Sequence, residues 1–253
     1  MDLGLSGKKA VITGSTRGIG RAIANLLADE GVDLAVCARQ QADVDTAIAE
    51  LSAKGVKVVG SAIDVADGEA YKHWIAEMGT QLGGIDIFVP NVSAGGGNMS
   101  EEGWQNNFNV DLLGTTRGVE AATPFLEKSS AAAIVVISST AGVETFMGPQ
   151  PYNAIKGALI IHAKQLSQAL APSGIRVNCV SPGPIYIEGG AWEYIKNNMA
   201  ELYDSTLAQI PQGRMGSAEE IANAVAFLAS PAASLITGVN LVADGGFTKR
   251  VQL

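Results

Sequence analysis

The chain has 253 residues, of which 47% are hydrophobic and 17% charged, with a formal net charge of −8. That is enough apolar material for the core of one large α/β domain. The acidic balance argues against nonspecific binding to nucleic acid or an anionic membrane, the apolar run Ala131 to Ile137 is far too short to span a bilayer, and the amino-terminal stretch lacks the apolar segment of a secretion signal.

Short runs rich in Val and Ile alternate with longer amphipathic segments. The first, Ala10–Thr13, reads as a strand and leads through Thr13-Gly14-Ser15-Thr16-Arg17-Gly18-Ile19-Gly20 into a helical pattern over Ile19–Glu30. Glycines at a strand-to-helix turn let backbone approach a pyrophosphate, which then sits at the helix N-terminus. Gly14, Ser15, Thr16, Arg17, Gly18, Ile19 and Gly20 are therefore candidate cofactor ligands, although Gly-x-x-x-Gly-x-Gly is not the commoner dinucleotide spacing. A second strand, Asp33–Ala38, ends at Arg39. A carboxylate there would bind the adenosine ribose hydroxyl of NAD. Arg39, with Arg17, instead suits a 2′-phosphate, so NADP is expected and NAD is less favoured. Cys37 in this strand and Cys179 later both lie in apolar runs. They read as buried free thiols of a cytoplasmic protein rather than metal ligands, and no metal site is expected.

Further strands are expected at Val56–Ala62, Ile85–Pro90, Ala132–Ser138, Arg176–Val180 and Asn240–Val242. Helical patterns cover Ala42–Lys54, Glu69–Leu82, Tyr152–Leu170 and Ala218–Ala229, the last opened by Ser217 ahead of Glu219 and Glu220. Repeated β-α-β order predicts a doubly wound parallel sheet with helices on both faces. No linker divides residues 1–253, so a single α/β domain is expected. The rhythm breaks over about 186–212, which carries Trp192, Tyr194, Met199 and Tyr203. This stretch reads as a helical substrate lid with an apolar or aromatic wall, or else as ordinary helix packing. Gly95-Gly96-Gly97 suggests a loop on the opposite rim.

Tyr152 and Lys156 stand four positions apart on the predicted helix and so share a face. A phenol is a poor acid at neutral pH, and a fixed ammonium beside it favours the phenolate. The pair is a candidate acid/base centre. Ser139 closes the fifth strand, thirteen residues before Tyr152. A hydroxyl at that end of a parallel strand faces the ligand crevice.

Taken together, the chain resembles the short-chain dehydrogenase/reductase family over essentially its whole length, specifically its 3-oxoacyl-ACP-reductase-like branch. The resemblance rests on the glycine motif ending at Gly20, Asp64-Val65, Ser139, Tyr152-x-x-x-Lys156, Asn178-Cys-Val-Ser-Pro-Gly183 and Asp244-Gly-Gly246. It implies a Rossmann-type fold and NAD(P)-dependent redox chemistry on a small carbonyl or secondary alcohol, with a homotetramer as the expected assembly. Tyr152 then exchanges the proton and Ser139 orients the substrate oxygen. Lys156 holds the nicotinamide ribose and acts on Tyr152, Asp64 and Val65 flank the adenine, and Asn91, Pro182, Gly183 and Ile185 complete the cofactor site. For the assembly, Ala154, Ala158, Ile161 and Leu166 offer the long helix a second apolar stripe.

Three departures from the family pattern stand out. Pro90-Asn91-Val92-Ser93 replaces Asn-Asn-Ala-Gly, Ile187 replaces a cofactor-contacting threonine, and Asp111 replaces a catalytic asparagine. In the family, the backbone carbonyl at the last position holds a relay water for the lysine. Asp111 can supply the same carbonyl, and its carboxylate can also pair with Lys156. A non-catalytic NADP-binding sensor or scaffold on the same fold is the alternative function.

Overall fold

Seven parallel strands alternate in the face to which they send their side chains, and this builds two cores. In β1 (Lys9–Ile12), Ala10 and Ile12 enter one apolar cluster and Val11 the other. The same alternation holds in β2 (Asp33–Ala38), where Leu34 and Val36 oppose Ala35 and Cys37. The remaining strands are β3 (Val58–Ala62), β4 (Ile87–Val89), β5 (Ala133–Ile137), β6 (Arg176–Pro182) and β7 (Asn240–Ala243). Their order in the sheet is β3-β2-β1-β4-β5-β6-β7, in a computed structural model that describes residues 2–251. Ala10 pairs with Leu34 of β2 on one side and Ile87 of β4 on the other. The chain thus winds outward from β1 to β3, then crosses back to start a second winding at β4.

Helices α1 (Gly18–Asp29), α2 (Gln41–Ser52) and α9 (Ala218–Ala229) cover one face through Ile23, Leu27, Val44 and Val225. Helices α3 (Gly68–Leu82), α5 (Gly114–Leu126) and α6 (Pro151–Leu170) cover the other through Trp74, Ile75, Val119 and Leu159. This is the expected doubly wound Rossmann-type fold. Ser217 starts α9 as read: its hydroxyl accepts from Glu220 N, and the Glu220 carboxylate accepts from Ser217 N at 2.9 Å.

Three strands are shorter than their apolar runs, β5 losing one residue at each end of Ala132–Ser138. Val56 and Lys57 fall outside β3, where Lys57 N donates to the Asp33 carboxylate at 2.8 Å. Asp86 precedes β4, and its carboxylate accepts from Lys9 N at 2.9 Å. Between β4 and β5 lies a helical stretch that the pattern did not announce. It comprises α4 (Glu101–Asn107), a π-helical segment (Phe108–Leu113) and then α5. Its middle, Asn106-Asn107-Phe108-Asn109, consists of indifferent helix formers, so burial on either side decides the conformation there. The stretch expected to form a lid contains α7 (Ala191–Asn198) and α8 (Ala200–Leu207). No helix among the described residues is long and apolar enough to cross a membrane.

Candidate active site

The carboxyl ends of β1, β2 and β4 open into a cleft of about 650 Å³. The glycine turn forms its floor. Gly14 and Gly18 adopt φ of 64° and 58°, a region that favours glycine. A Cβ at Gly20 would lie 2.2 Å from Gly14 O and 2.5 Å from Asn91 Nδ2, so only glycine lets α1 start this close to the turn. Asn91 Nδ2 donates to Thr13 O at 3.0 Å and Gly14 O at 3.2 Å, pinning the loop to the end of β4. Pro90, lacking an N–H, sits just past β4, and its carbonyl accepts from Ile137 N at 3.2 Å.

Of the expected cofactor residues, Gly14, Thr16, Arg17, Gly18, Ile19 and Gly20 line the cleft. So do Arg39, Asp64, Val65 and Asn91. Arg17 and Arg39 are exposed, and neither guanidinium has an ion-pair partner among the described residues. Asp43, Asp64 and Glu188 also border the cleft. The Asp64 carboxylate is engaged locally, accepting from Ala66 N at 2.9 Å. Ser15, Pro182, Gly183 and Ile185 stand back from the cleft. The Ser15 hydroxyl points inward, donating to Ile12 O at 2.9 Å and accepting from Cys37 N at 3.1 Å. Ile185 is buried and bridges to Gly216. Ile187, where a hydroxyl was expected, lays its δ1 methyl over the glycine loop, 3.5 Å from the site of a Cβ on Gly18. The contact is apolar, and no hydroxyl is offered there. Burial pushes both the Cys37 and Cys179 thiols up to about 12.

Ser139 follows β5 and caps a single 3₁₀ turn, Thr140–Gly142, its Oγ accepting from Ala141 N at 3.1 Å. That turn lies directly on α6: a Cβ on Gly142 would come within 2.5 Å of Gly157 N. Ser138 Oγ donates to Lys156 O at 2.7 Å, fastening the same junction. Strand end and helix start are thereby fixed, with Tyr152 and Lys156 on the first turns of α6. Lys156 Nζ is 5.5 Å from the Tyr152 ring centroid.

The Lys156 ammonium is buried. It donates to Ile137 O at 3.1 Å and stands 3.0 Å from Asp111 Oδ1. That second contact is close enough for an ion pair but misaligned for a hydrogen bond. Burial pulls the ammonium pKa down, but the Asp111 carboxylate and Tyr152 more than reverse this and leave it above its ordinary value. Lys156 therefore remains a cation across the neutral range. The pairing of the Asp111 carboxylate with Lys156 that the sequence allowed is present. The Asp111 backbone carbonyl accepts from Thr115 Oγ1 at 2.7 Å.

Two features of the surroundings escaped sequence reading. The first is a row of rings. Phe146 packs on Trp192 at 6.2 Å and edge-on to Phe247 at 5.5 Å, and Trp192 packs on Tyr203 at 6.5 Å. Asn153, next to Tyr152, donates to Phe146 O at 2.8 Å and Gly148 O at 3.1 Å, which ties the loop carrying Phe146 to the first turn of α6. Of the expected wall, Trp192 and Tyr203 take part, whereas Tyr194 and Met199 are 64% and 47% exposed. The second is Gln150, which accepts from Gly97 N at 2.9 Å and donates to Met147 O at 3.0 Å, joining two loops. Nothing in the local pattern at Phe146, Gln150 or Phe247 marks them; only the fold brings them together. His73 Nδ1 meets Glu69 O at 2.9 Å within α3, and His162 Nε2 on α6 meets Thr116 Oγ1 of α5 at 3.5 Å.

Known proteins share this fold along nearly the whole chain. The family model described as enoyl-(acyl carrier protein) reductase matches residues 14–248. Isoepoxydon dehydrogenase patN of Penicillium expansum is 38% identical over 249 residues, covering 96% of this chain and 95% of that protein. The 3-oxoacyl-[acyl-carrier-protein] reductase FabG of Staphylococcus aureus is 36% identical over 244 residues, covering 94% and 97%. Among solved structures, L-sorbose reductase of Gluconobacter frateurii, complexed with NADPH and L-sorbose, superimposes with a TM-score of 0.91 at 33% identity, covering 99% of this chain and 100% of that one. The chain belongs to the short-chain dehydrogenase/reductase family and is an oxidoreductase.

Proposed function

We propose that the protein is an NADPH-dependent reductase of a small, oxygen-bearing ketone, working reversibly on the matching secondary alcohol. The observation that carries this reading is the junction of half-buried Tyr152 with buried Lys156, linked through Asp111 to Ala94 in the lining of a cleft with two free guanidinium groups. The cleft fits a dinucleotide: its volume lies in the range of ligand sites, its glycine turn meets a helix N-terminus, and Arg17 and Arg39 suit a 2′-phosphate. NADPH, when bound, supplies the hydride. Tyr152 gives its proton to the carbonyl oxygen in reduction and takes it back in oxidation. Ser139 Oγ accepts from Ala141 N, which leaves its O–H to donate to the same oxygen. Lys156 keeps a positive charge beside the phenol and, with one N–H on Ile137 O, still has N–H to give a ribose hydroxyl.

The substrate reading rests on the walls. Phe146 and Trp192 offer ring faces, while the Gln150 amide, tied to Gly97 N and Met147 O, offers a polar edge with its remaining N–H and lone pair. Such a pairing suits a compact molecule with apolar carbon faces and several oxygens. The names of the isoepoxydon dehydrogenase and L-sorbose reductase relatives support it. The similarity to the S. aureus enzyme supports the 3-oxoacyl-ACP-reductase-like branch suggested by the sequence, but the ring wall favours a small free substrate over a carrier-bound chain. The stretch 186–212 then acts as the lid, with α7 and α8 over the site. Two buried thiols fit a reducing compartment such as the cytoplasm.

A homotetramer completes the reading. Trp104, Phe108 and Ile161 are 45%, 44% and 64% exposed on the adjacent helical stretches α4, π and α6. Leu166, expected on the same stripe, instead packs against the core. Light scattering at micromolar concentration is expected to give four copies; a monomer would contradict this.

Tyr152→Phe keeps the ring and removes the transferable proton. It is expected to lower kcat/KM at least about a hundredfold with cofactor binding retained. Near wild-type turnover in the purified variant would overturn the assignment. Arg39→Asp removes a cation from the expected 2′-phosphate and adds an acceptor for a ribose hydroxyl. Binding titrations with both cofactors are expected to show preference moving toward NADH, and an unchanged ratio would remove Arg39 from that phosphate.

A further inference from the structure

The segment Ser93–Asn98 runs as a strap across the start of α6. A Cβ on Gly96 would lie 2.8 Å from Gln150 Oε1 and 3.8 Å from Tyr152 Cβ, so the strap lies against the tyrosine itself. It is fastened at two points. Gly97 N donates to Gln150 Oε1 at 2.9 Å, and Ala94 N donates to Asp111 Oδ2 at 2.8 Å. The other oxygen of that carboxylate faces Lys156 Nζ at 3.0 Å. Asp111 is 1% exposed and sits inside the π-helical segment, while Thr115 Oγ1 takes its main-chain carbonyl at 2.7 Å. One carboxylate therefore holds both the ammonium of the proton site and the backbone of the strap.

We propose that Asp111 is a positioning residue that ties the strap Ser93–Asn98 to the charge of the Tyr152–Lys156 pair, so that strap and proton site form one unit. The inference rests on the reading of Tyr152 and Lys156 as the proton-handling pair. Charge counting gives it content. With the phenol neutral, Lys156 and Asp111 cancel in a dry site. The other groups facing the ammonium are Ile137 O from β5, the Tyr152 phenol from α6 and the Cys179 thiol from β6, which burial keeps neutral. Ala94 N and Thr115 Oγ1, which face Asp111, do not titrate. An amide at position 111 would leave a buried, uncompensated cation. The cluster then regains neutrality by releasing one proton, so its first macroscopic proton loss moves to lower pH whichever group gives it up. An amide also has only one acceptor oxygen for two facing donors. Either the ammonium or Ala94 N loses its partner.

The experiment compares Asp111→Asn with Gln150→Leu, which frees the other end of the strap without changing charge. Three readouts are taken: phenolate absorbance against pH in the free enzyme with Tyr152→Phe as blank, kcat/KM for alcohol oxidation against pH, and amide exchange over residues 93–98. Asp111→Asn is expected to move both pH midpoints down by about one unit, a tenfold change in the proton equilibrium, and to speed exchange in the strap. Gln150→Leu is expected to speed exchange and raise substrate KM with both midpoints unmoved. Unmoved or raised midpoints in folded Asp111→Asn, or strap exchange as slow as wild type, would overturn the coupling. Should Asp111→Asn fail to fold, the double variant Asp111→Asn/Lys156→Met removes both charges and is expected to recover folding; its failure would also overturn the pairing. Tyr152→Phe separates the two claims. If it stays active, the proton-site reading fails; if it is dead while Asp111→Asn leaves the midpoints in place, only the role of Asp111 fails.

Discussion

The reversal of strand order between β1 and β4 is the constraint on which the rest depends. The two strands are neighbours, yet the chain leaves them in opposite directions around the sheet, so their carboxyl ends part and open a crevice. Crowding keeps that crevice in shape. Asn91 spends its amide on Thr13 O and Gly14 O, Thr13 Oγ1 accepts from Asn91 N at 3.0 Å, and Gly20 leaves no room for a single methyl between them. On one side the glycine loop and two arginines await an anion. On the other, β5 ends in Ser139 and α6 brings up Tyr152 and Lys156.

The charges of the site fall into two classes with different physics. Arg17 and Arg39 are exposed, so their attraction for a phosphate acts through water and weakens with salt. Lys156 and Asp111 are buried. Breaking such a pair from one side leaves an uncompensated ion, a loss of about 3–5 kcal/mol in comparable cases. In the proposed reading, the first class sets which cofactor is held and the second the protonation state of the reacting groups. The π-helical segment belongs to the second class: it carries Asp111 to the ammonium while α4 and α5 continue on either side.

Much of this was legible from the chain alone, because two-residue alternation and glycine spacing are local signals. All seven strands lie within or close to their apolar runs, and the Ser217 start of α9 was visible as a capping pattern. Tyr152 and Lys156 were legible because helical spacing forces them together. The helical stretch 101–126 was not, since Asn106, Asn107 and Asn109 carry weak preferences that burial overrides. The ring row was half legible. Trp192 and Tyr203 lie in one suspicious segment, but Phe146 and Phe247 come from loops far apart in the chain. Asp111 shows the limit most clearly: sequence left open a carbonyl role and a charge pair, and only packing decided that the carboxylate faces Lys156.

The central claim is that this junction reduces a small oxygenated ketone at the expense of NADPH. It is tested most directly by following NADPH absorbance with the purified protein across a panel of small hydroxyketones and cyclic enones, with NADH in parallel. The account predicts steady NADPH consumption with at least one member and markedly slower consumption of NADH. Tight NADPH binding with no turnover on any carbonyl in the panel, or equal use of NADH, would contradict it.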